Sequence, residues 1–477
     1  ICRALMGADG AATFYQAGRV YPNNTGDFFR AVSTGANALQ EEQAKTYTIG
    51  AVIRSPFDNP WLSGLRMSVD YYNVVLSGGI ALIWADQWGS WERVYHVMAG
   101  IFVAAAVVIL VSAAARSPVH PVPPAPSETQ LADARHVSSD VNEVLNRIWR
   151  DRGVTPAKPA DELQVLRRLS LALHGGIPSL EEIRRFEGDS EPNRLERWTI
   201  QMLNDRRFAD YFSVRLSRGL VGAEGGQFIV FRRDRFTTWL AEEIHKGTPF
   251  DQLVRQMISE NGLWTGVPAT NYITQAVADG NIDYNKLAGR TVRAFLGQRI
   301  DCAQCHNHPF ADWKQSQFEG LAACFGQARI TPTGVGDDDK KEFAVTDRMT
   351  QEERKVAPDV PFGEEWWPTE GTPRTRLAAW VTHADNHRFE RAIVNRTWGL
   401  LFGRAWSEPV DDLPDPPTTD DPHDLLGVLG RDFRSHNCDL KRLIFLIASS
   451  QAFRMSSEHP AYETGERIED VEATWAA

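Results

Sequence analysis

Four side chains that can bind metals or cofactors lie close together in the segment IDCAQCHNHPFADW, residues 300–313. Cys302, Cys305, His306 and His308 fall within seven residues of a chain that has five cysteines in all. Cys302 to His306 has the C-x-x-C-H spacing that attaches c-type haem, in which two thiols form thioethers and the histidine binds iron. The spacing therefore predicts haem c, held by Cys302, Cys305 and His306.

Two other interpretations of this cluster stay open. Zinc accepts thiolate and imidazole ligands, so His306 and His308 are alternative metal ligands together with Cys302 and Cys305. Tetrahedral zinc sites usually draw their ligands from two separated pairs, however, and the nearest further cysteine is Cys324. The third interpretation is a pair of packed thiols without a ligand.

The second axial ligand of such a haem is not fixed by the spacing. His308 is too close in sequence to His306 to reach the opposite face of the same macrocycle. Four side chains elsewhere are of a suitable type, namely Met257, Met349, His383 and His387. No spacing selects one of them, so a five-coordinate iron, suited to ligand binding or catalysis, stays open as well.

Composition indicates a folded protein without a nucleic-acid partner. The chain has 477 residues, of which 43% are apolar and 10% aromatic, enough for two or three domains. The formal net charge of −11 is spread without a long basic run, whereas phosphate binding needs clustered Lys and Arg. We therefore expect no nucleic acid as the main partner.

Residues 1–79 have the pattern of β-strands. KTYTIGAVI (45–53) and LSGLRMSVDYYNVVL (62–76) alternate apolar and polar residues around a turn-rich segment, which predicts a hairpin. GANALQEEQAKTYTIGAV and LSGLRMSVDYYNVVLSGGI resemble late barrel strands of a TonB-dependent outer-membrane receptor. The plug domain and most strands of that family are missing, so the resemblance implies a receptor fragment rather than transport.

Residues 80–116 contain a predicted transmembrane helix. Residues 97–115 carry no charge and are long enough to cross ~30 Å of hydrocarbon at ~1.5 Å per residue. Trp88 and Trp91 precede this run, as interfacial aromatic residues do. Prolines in residues 117–129 then favour an extended spacer. We therefore expect a membrane tether followed by a linker.

From residue 130 onward the pattern is mainly helical. DELQVLRRLSLAL has apolar residues at helical spacing, and Ser179 with Glu182 forms a capping-box pattern. Strand signals are few, and ITPTGVGDDDKKE (330–342) has the composition of an irregular loop. The predicted fold class is mainly α: a helical C-terminal region with long loops, preceded by a single transmembrane helix and a short segment rich in β-hairpin pattern.

The region from 331 to 477 offers weaker signals. RFERAIVNRTWGLLFGR is an amphipathic pattern whose polar face is expected to be solvated rather than to bind an anion. That face contains Arg388, Arg391, Asn395 and Arg396. Five aspartates of PVDDLPDPPTTDDPHD lack the regular ligand spacing of a calcium loop, namely Asp411, Asp412, Asp415, Asp420 and Asp421.

The longer motifs resemble a known pair of domains. LRRLSLALHGGIPSLEEIRRFEGD, GTPFDQLVRQMI and RAFLGQRIDCAQCHNHPFADWKQSQFEGLAACF resemble the planctomycete-type cytochrome-like domain of unknown function (PSCyt class), here assigned to residues 130–330. The segment from RLAAWVTHADNHRFERAIVNRTWGLLFGR to FLIASSQAFRMSS is similar to its PSD-type companion domain, assigned to 331–477. The resemblance implies that Cys302, Cys305 and His306 form the family's C-x-x-C-H motif.

Together these patterns predict a membrane-tethered or exported protein of the bacterial cell envelope. Its c-type haem would serve redox chemistry or electron transfer with a redox partner protein. Because such haems are attached outside the cytoplasm, the C-terminal region is expected to face the periplasm. The alternatives are a non-catalytic envelope scaffold with a structural zinc site, and a fragment of an outer-membrane receptor. No catalytic residue or substrate is predicted.

Overall fold

The computed structural model divides the chain into two units, Ile1–Val119 and His120–Ala477. The residues that it describes are 45–54, 66–75, 126–223, 225–227, 230–346, 351–417 and 421–457. The predicted membrane segment, residues 97–115, and most of the predicted linker lie outside these ranges. Within the described residues, every helix is too short or too polar to cross a membrane.

Two strands lie within the segment predicted to form the N-terminal hairpin. β1 (Lys45–Arg54) pairs with β2 (Arg66–Val75) in antiparallel orientation. The register places Ile49 opposite Tyr71, Ala51 opposite Val69 and Ile53 opposite Met67. These are the positions that the apolar alternation selects, and directly opposed positions of an antiparallel pair share one face of the ribbon.

The second unit is mainly helical, as predicted. Its longer helices are α1 (Glu128–Asp151), α2 (Glu162–His174), α3 (Leu180–Gly188), α4 (Arg194–Asn204), α5 (Arg206–Val221), α6 (Arg233–Lys246), α7 (Phe250–Ser259), α9 (Tyr284–Phe295), α10 (Gln315–Ala323), α11 (Pro373–Val381), α12 (His387–Phe402), α13 (Leu425–Ser435) and α14 (Leu440–Ser449). The short helices are α8 (Asn271–Thr274) and α15 (Gln451–Arg454). Three antiparallel strand pairs interrupt them: β3 (Val277–Ala278) with β4 (Asn281–Ile282), β5 (Ala328–Thr331) with β6 (Gly334–Asp337), and β7 (Ala344–Thr346) with β8 (Glu353–Lys355).

One prediction about the loops is wrong. The segment 330–342 is not an irregular loop, because most of the β5–β6 hairpin lies in it. Val335 also exchanges backbone hydrogen bonds with Gly262, in both directions, at 2.8 and 2.9 Å. This distant partner stabilises an extended conformation that the glycine-rich local sequence does not favour.

The helix boundaries follow local capping chemistry. The predicted capping box of α3 is confirmed, because Ser179 Oγ accepts from the Glu182 backbone N–H and the Glu182 carboxylate accepts from the Ser179 N–H. Arg207 also donates to this carboxylate, at 2.7 Å. Burial raises the pKa of Glu182, but hydrogen bonds from Arg207 and Ser179 outweigh that effect and lower the pKa from 4.5 to about 2.

One hydrophobic core joins the regions 130–330 and 331–477. α1 packs against α13 and α14, and α7 packs against α11. The rings of Phe250 and Phe389, one from each region, lie 5.8 Å apart and are fully buried. The two regions therefore fold around shared apolar side chains.

The prediction that the polar face of α12 is solvated is wrong. Arg391, Asn395 and Arg396 are buried. The Arg391 guanidinium lies 2.6 Å from the Asp424 carboxylate, and the Asn395 amide donates to the Ser407 carbonyl at 2.8 Å. α12 is enclosed by other helices on several sides, so its polar side chains need partners within the protein.

Two of the aspartates after α12, Asp411 and Asp415, form ion pairs with arginines. Asp411 lies 2.6 Å from Arg299. The carboxylate of Asp412 accepts from the Arg299 backbone N–H at 3.2 Å, and Asp415 pairs with Arg388. These contacts fasten the segment to α12 and to the chain just before the cysteine motif.

Candidate functional site

The C-x-x-C-H motif lies on an exposed turn between α9 and α10. Residues Asp301–Gln304 form one turn of 3-10 helix, in which side chains three positions apart lie on the same side. Ile300 and Ala303 are fully buried and fix one side of this turn to the core, whereas Cys302 and Cys305 are exposed. The three-residue period therefore places both thiols on the solvent side.

An ion pair holds the same turn against α9. The Arg293 guanidinium lies 2.6 Å from the Asp301 carboxylate. Gly289 leaves room for that carboxylate, since a Cβ at position 289 would lie 3.0 Å from Asp301 Oδ1. The backbone under the two thiols is thus fixed by packing on one side and by an ion pair on another.

The four cysteines that the structure describes fall into two classes. Cys302 and Cys305 are free thiols on the surface. Burial raises the pKa of Cys324 to about 12 and that of Cys438 to about 11, so both remain protonated. Within this part of the chain, only the motif thiols are both accessible and close to each other in sequence.

The ring of His306 is oriented to present one free nitrogen. Its Nδ1 lies 2.7 Å from the backbone carbonyl oxygen of Asn307 and must donate, because a carbonyl only accepts. The proton is therefore on Nδ1, and Nε2 carries the lone pair in an exposed position. Histidines that bind metals usually donate their second ring N–H in this way, which fixes the tautomer.

The ring of His308 has the opposite arrangement. Its Nδ1 accepts from the backbone N–H of Phe310 at 3.2 Å, so the neutral ring carries its proton on Nε2. Its backbone N–H donates to the Trp313 carbonyl at 2.7 Å. His306 has a lone pair available for a metal in this geometry, whereas the lone pair of His308 is already engaged.

The predicted zinc ligands do not converge in this structure. Among the described residues, three side chains of metal-ligating type bring their ligand atoms within 4.8 Å of one another, namely Asp133, Asp432 and His436. That group contains an internal cation, because the Arg442 guanidinium lies 2.5 Å from Asp133 and 2.8 Å from Asp432. It is an ion-pair network between distant segments, which no sequence spacing could have indicated.

Three of the four suggested sixth ligands are buried or in contact with other side chains. Met257 is fully buried in the hydrophobic core. His387 Nδ1 lies 2.7 Å from Glu390, and the His383 ring stacks on Trp366 at 5.3 Å. Met349 lies outside the described residues. Among the described residues, His306 is thus the ligand best placed to bind iron.

Two parts of the chain match known family models. Residues 140–330 match PSCyt2 and residues 373–477 match PSD1, each described as a protein of unknown function (DUF1549 and DUF1553). The predicted pairing and order of the two domains are confirmed. These matches leave residues 1–139 uncovered and give no support to the outer-membrane receptor resemblance. No curated protein and no solved structure matches the chain.

Proposed function

We propose that this PSCyt2–PSD1 chain carries one covalently attached c-type haem and exchanges electrons with a partner protein in the bacterial envelope. The supporting observation is the geometry of the motif. Two free, exposed thiols lie beside a histidine whose Nδ1–H donates to the Asn307 carbonyl, leaving Nε2 free. This combination fits thioether formation and ligation of iron by one imidazole.

Each residue of the motif has a distinct role in this proposal. Cys302 and Cys305 would hold the macrocycle and His306 Nε2 would bind the iron, and the haem would supply one-electron chemistry there. The buried side chains of Ile300 and Ala303 keep the turn in place. Phe310, which is 94% exposed, adds an apolar ring close to the motif.

The surroundings favour an accessible haem. The motif lies on the surface, and it does not line the cavity of about 660 Å³ between the C-terminal ends of α1 and α12. An exposed cofactor edge lets a protein partner approach closely. Because His306 is the one suitably placed ligand among the described residues, a second iron ligand would come from outside them, either from an exogenous molecule or from Met349.

The proposed location follows from the chemistry of attachment. Haem is joined to such motifs outside the cytoplasm, so the region after residue 126 would face the periplasm. The uncharged run at residues 97–115 is the proposed membrane tether. The periplasmic orientation depends on the haem, whereas the tether rests on the length and lack of charge of residues 97–115.

The test is covalent haem in the full chain, exported with c-type maturation proteins. We expect a haem-stained band after denaturing electrophoresis. We also expect haem absorption bands in the reduced-minus-oxidised visible spectrum. Cys302→Ser with Cys305→Ser abolishes the band, and His306→Ala alters the spectrum. His308→Ala is the matched control and leaves both unchanged. A folded, colourless protein refutes the proposal, and stoichiometric zinc in it then supports the scaffold alternative.

A further inference from the structure

A cavity of about 660 Å³ lies away from the cysteine motif. It is formed by the C-terminal end of α1, the loop after it, the C-terminal end of α12 and the loop 403–408. Its volume falls within the range of roughly 300–1,000 Å³ typical of small-molecule sites. None of the residues 300–313 lines it.

Aromatic side chains form much of its wall. Trp398 stacks on Phe402 with ring centroids 4.4 Å apart and meets Trp406 edge to face at 5.3 Å and 74°. Trp149 contributes a further indole from α1. Trp398 is buried, whereas Trp149 and Trp406 are half-buried, so packing fixes the rings while part of their surface faces outward.

Charged side chains lie among these rings. His423 Nε2 lies 2.6 Å from Asp151 Oδ2, and Glu408 Oε1 accepts from the Ala405 backbone N–H at 2.9 Å. Within the described residues, the second oxygen of each carboxylate has no hydrogen-bond donor. Arg152 and Arg404 add guanidinium donors to the same lining. The cavity thus combines flat apolar surfaces with planar groups that accept and donate hydrogen bonds.

We propose that this cavity binds a carbohydrate chain. A pyranose ring has an apolar C–H face that stacks on an indole and a rim of hydroxyls that needs acceptors and donors together. Trp149 and Trp406 supply the stacking surfaces, and Asp151 and Glu408 accept from hydroxyls. A purely aliphatic ligand would remove water from the second oxygen of each carboxylate without offering it a hydrogen-bond donor.

Calorimetric titration of the full chain tests this proposal, with cellotetraose, chitotetraose and tetragalacturonate as probes. We expect at least one of them to bind, and Trp406→Leu or Asp151→Asn to weaken that binding by about tenfold or more. Trp367→Leu is the matched control, since Trp367 is a partly exposed tryptophan outside the cavity. It leaves the affinity unchanged.

Two results overturn the proposal. The first is the absence of binding to all three probes at millimolar concentration. The second is binding that neither variant weakens. Asp151→Asn preserves the shape of the side chain, so it decides the matter where Trp406→Leu lowers the melting temperature. Haem content is unaffected by either variant, which separates this test from that of the proposed function.

Discussion

Replacement of Arg374 by leucine is expected to destabilise the second unit strongly. Arg374 is fully buried near the start of α11. Its Nε and Nη2 donate to the two carboxylate oxygens of Asp337, each at 2.8 Å. Its Nη1 donates to the carbonyls of Ile258 and Glu260 at 3.1 and 3.2 Å, where α7 ends. One side chain therefore joins α11, β6 and the last turn of α7.

The magnitude follows from the groups that lose their partner. Asp337 is largely buried, and removing the arginine leaves its charge uncompensated, which costs about 3–5 kcal/mol. With a urea slope of roughly 3 kcal/mol per M, that loss moves the unfolding midpoint down by about 1–1.7 M. The exposed Arg431→Leu is the matched control, and we expect it to change stability by less than about 0.5 kcal/mol.

Urea unfolding of the full chain, followed by far-ultraviolet circular dichroism, measures the effect. The double variant Arg374→Leu/Asp337→Leu removes both charges, so it is expected to be more stable than the sum of the two single losses implies. A midpoint for Arg374→Leu within about 0.3 M of the parent contradicts the reasoning. Strict additivity in the double variant contradicts it as well, because it shows that the pair is not coupled.

Two further predictions concern acid stability and thiol accessibility. Since folding lowers the pKa of Glu182 from 4.5 to about 2, its carboxylate stabilises the fold above pH 4.5, and this contribution is lost as the pH falls toward 2. Glu182→Gln should therefore flatten the loss of urea stability between about pH 5 and pH 3, and an unchanged slope refutes this. In the haem-free native protein, iodoacetamide should modify Cys302 and Cys305 within minutes and reach Cys324 and Cys438 only after unfolding; peptide mapping that finds all four modified equally fast contradicts the described burial.

The local features of the sequence predicted the elements that depend on near neighbours. The capping box at Ser179 and Glu182 and the alternation in β1 and β2 both involve residues that meet through local geometry. These features needed no knowledge of the rest of the chain.

The wrong predictions have a common cause, which is contact between residues far apart in the sequence. The polar side chains of α12 have the composition of a solvated face, but Asp424 and Ser407 meet them within the fold. The β5–β6 hairpin is stabilised by pairing with Gly262, and the aromatic cavity brings Trp149 close to a loop after α12. Sequence patterns describe a segment's own preferences and cannot specify which remote segment will cover it.

The shared core ties the inheritance of the two matched regions together. α1 packs against α13 and α14, and α7 packs against α11. Dividing the chain between residues 330 and 373 would therefore expose apolar helix faces on both fragments. Each of the two fragments would expose apolar core side chains to water, and we expect both fragments to aggregate when made alone. Genetic exchange that separated the two regions would therefore be selected against, because each region depends on the other to cover its apolar side chains.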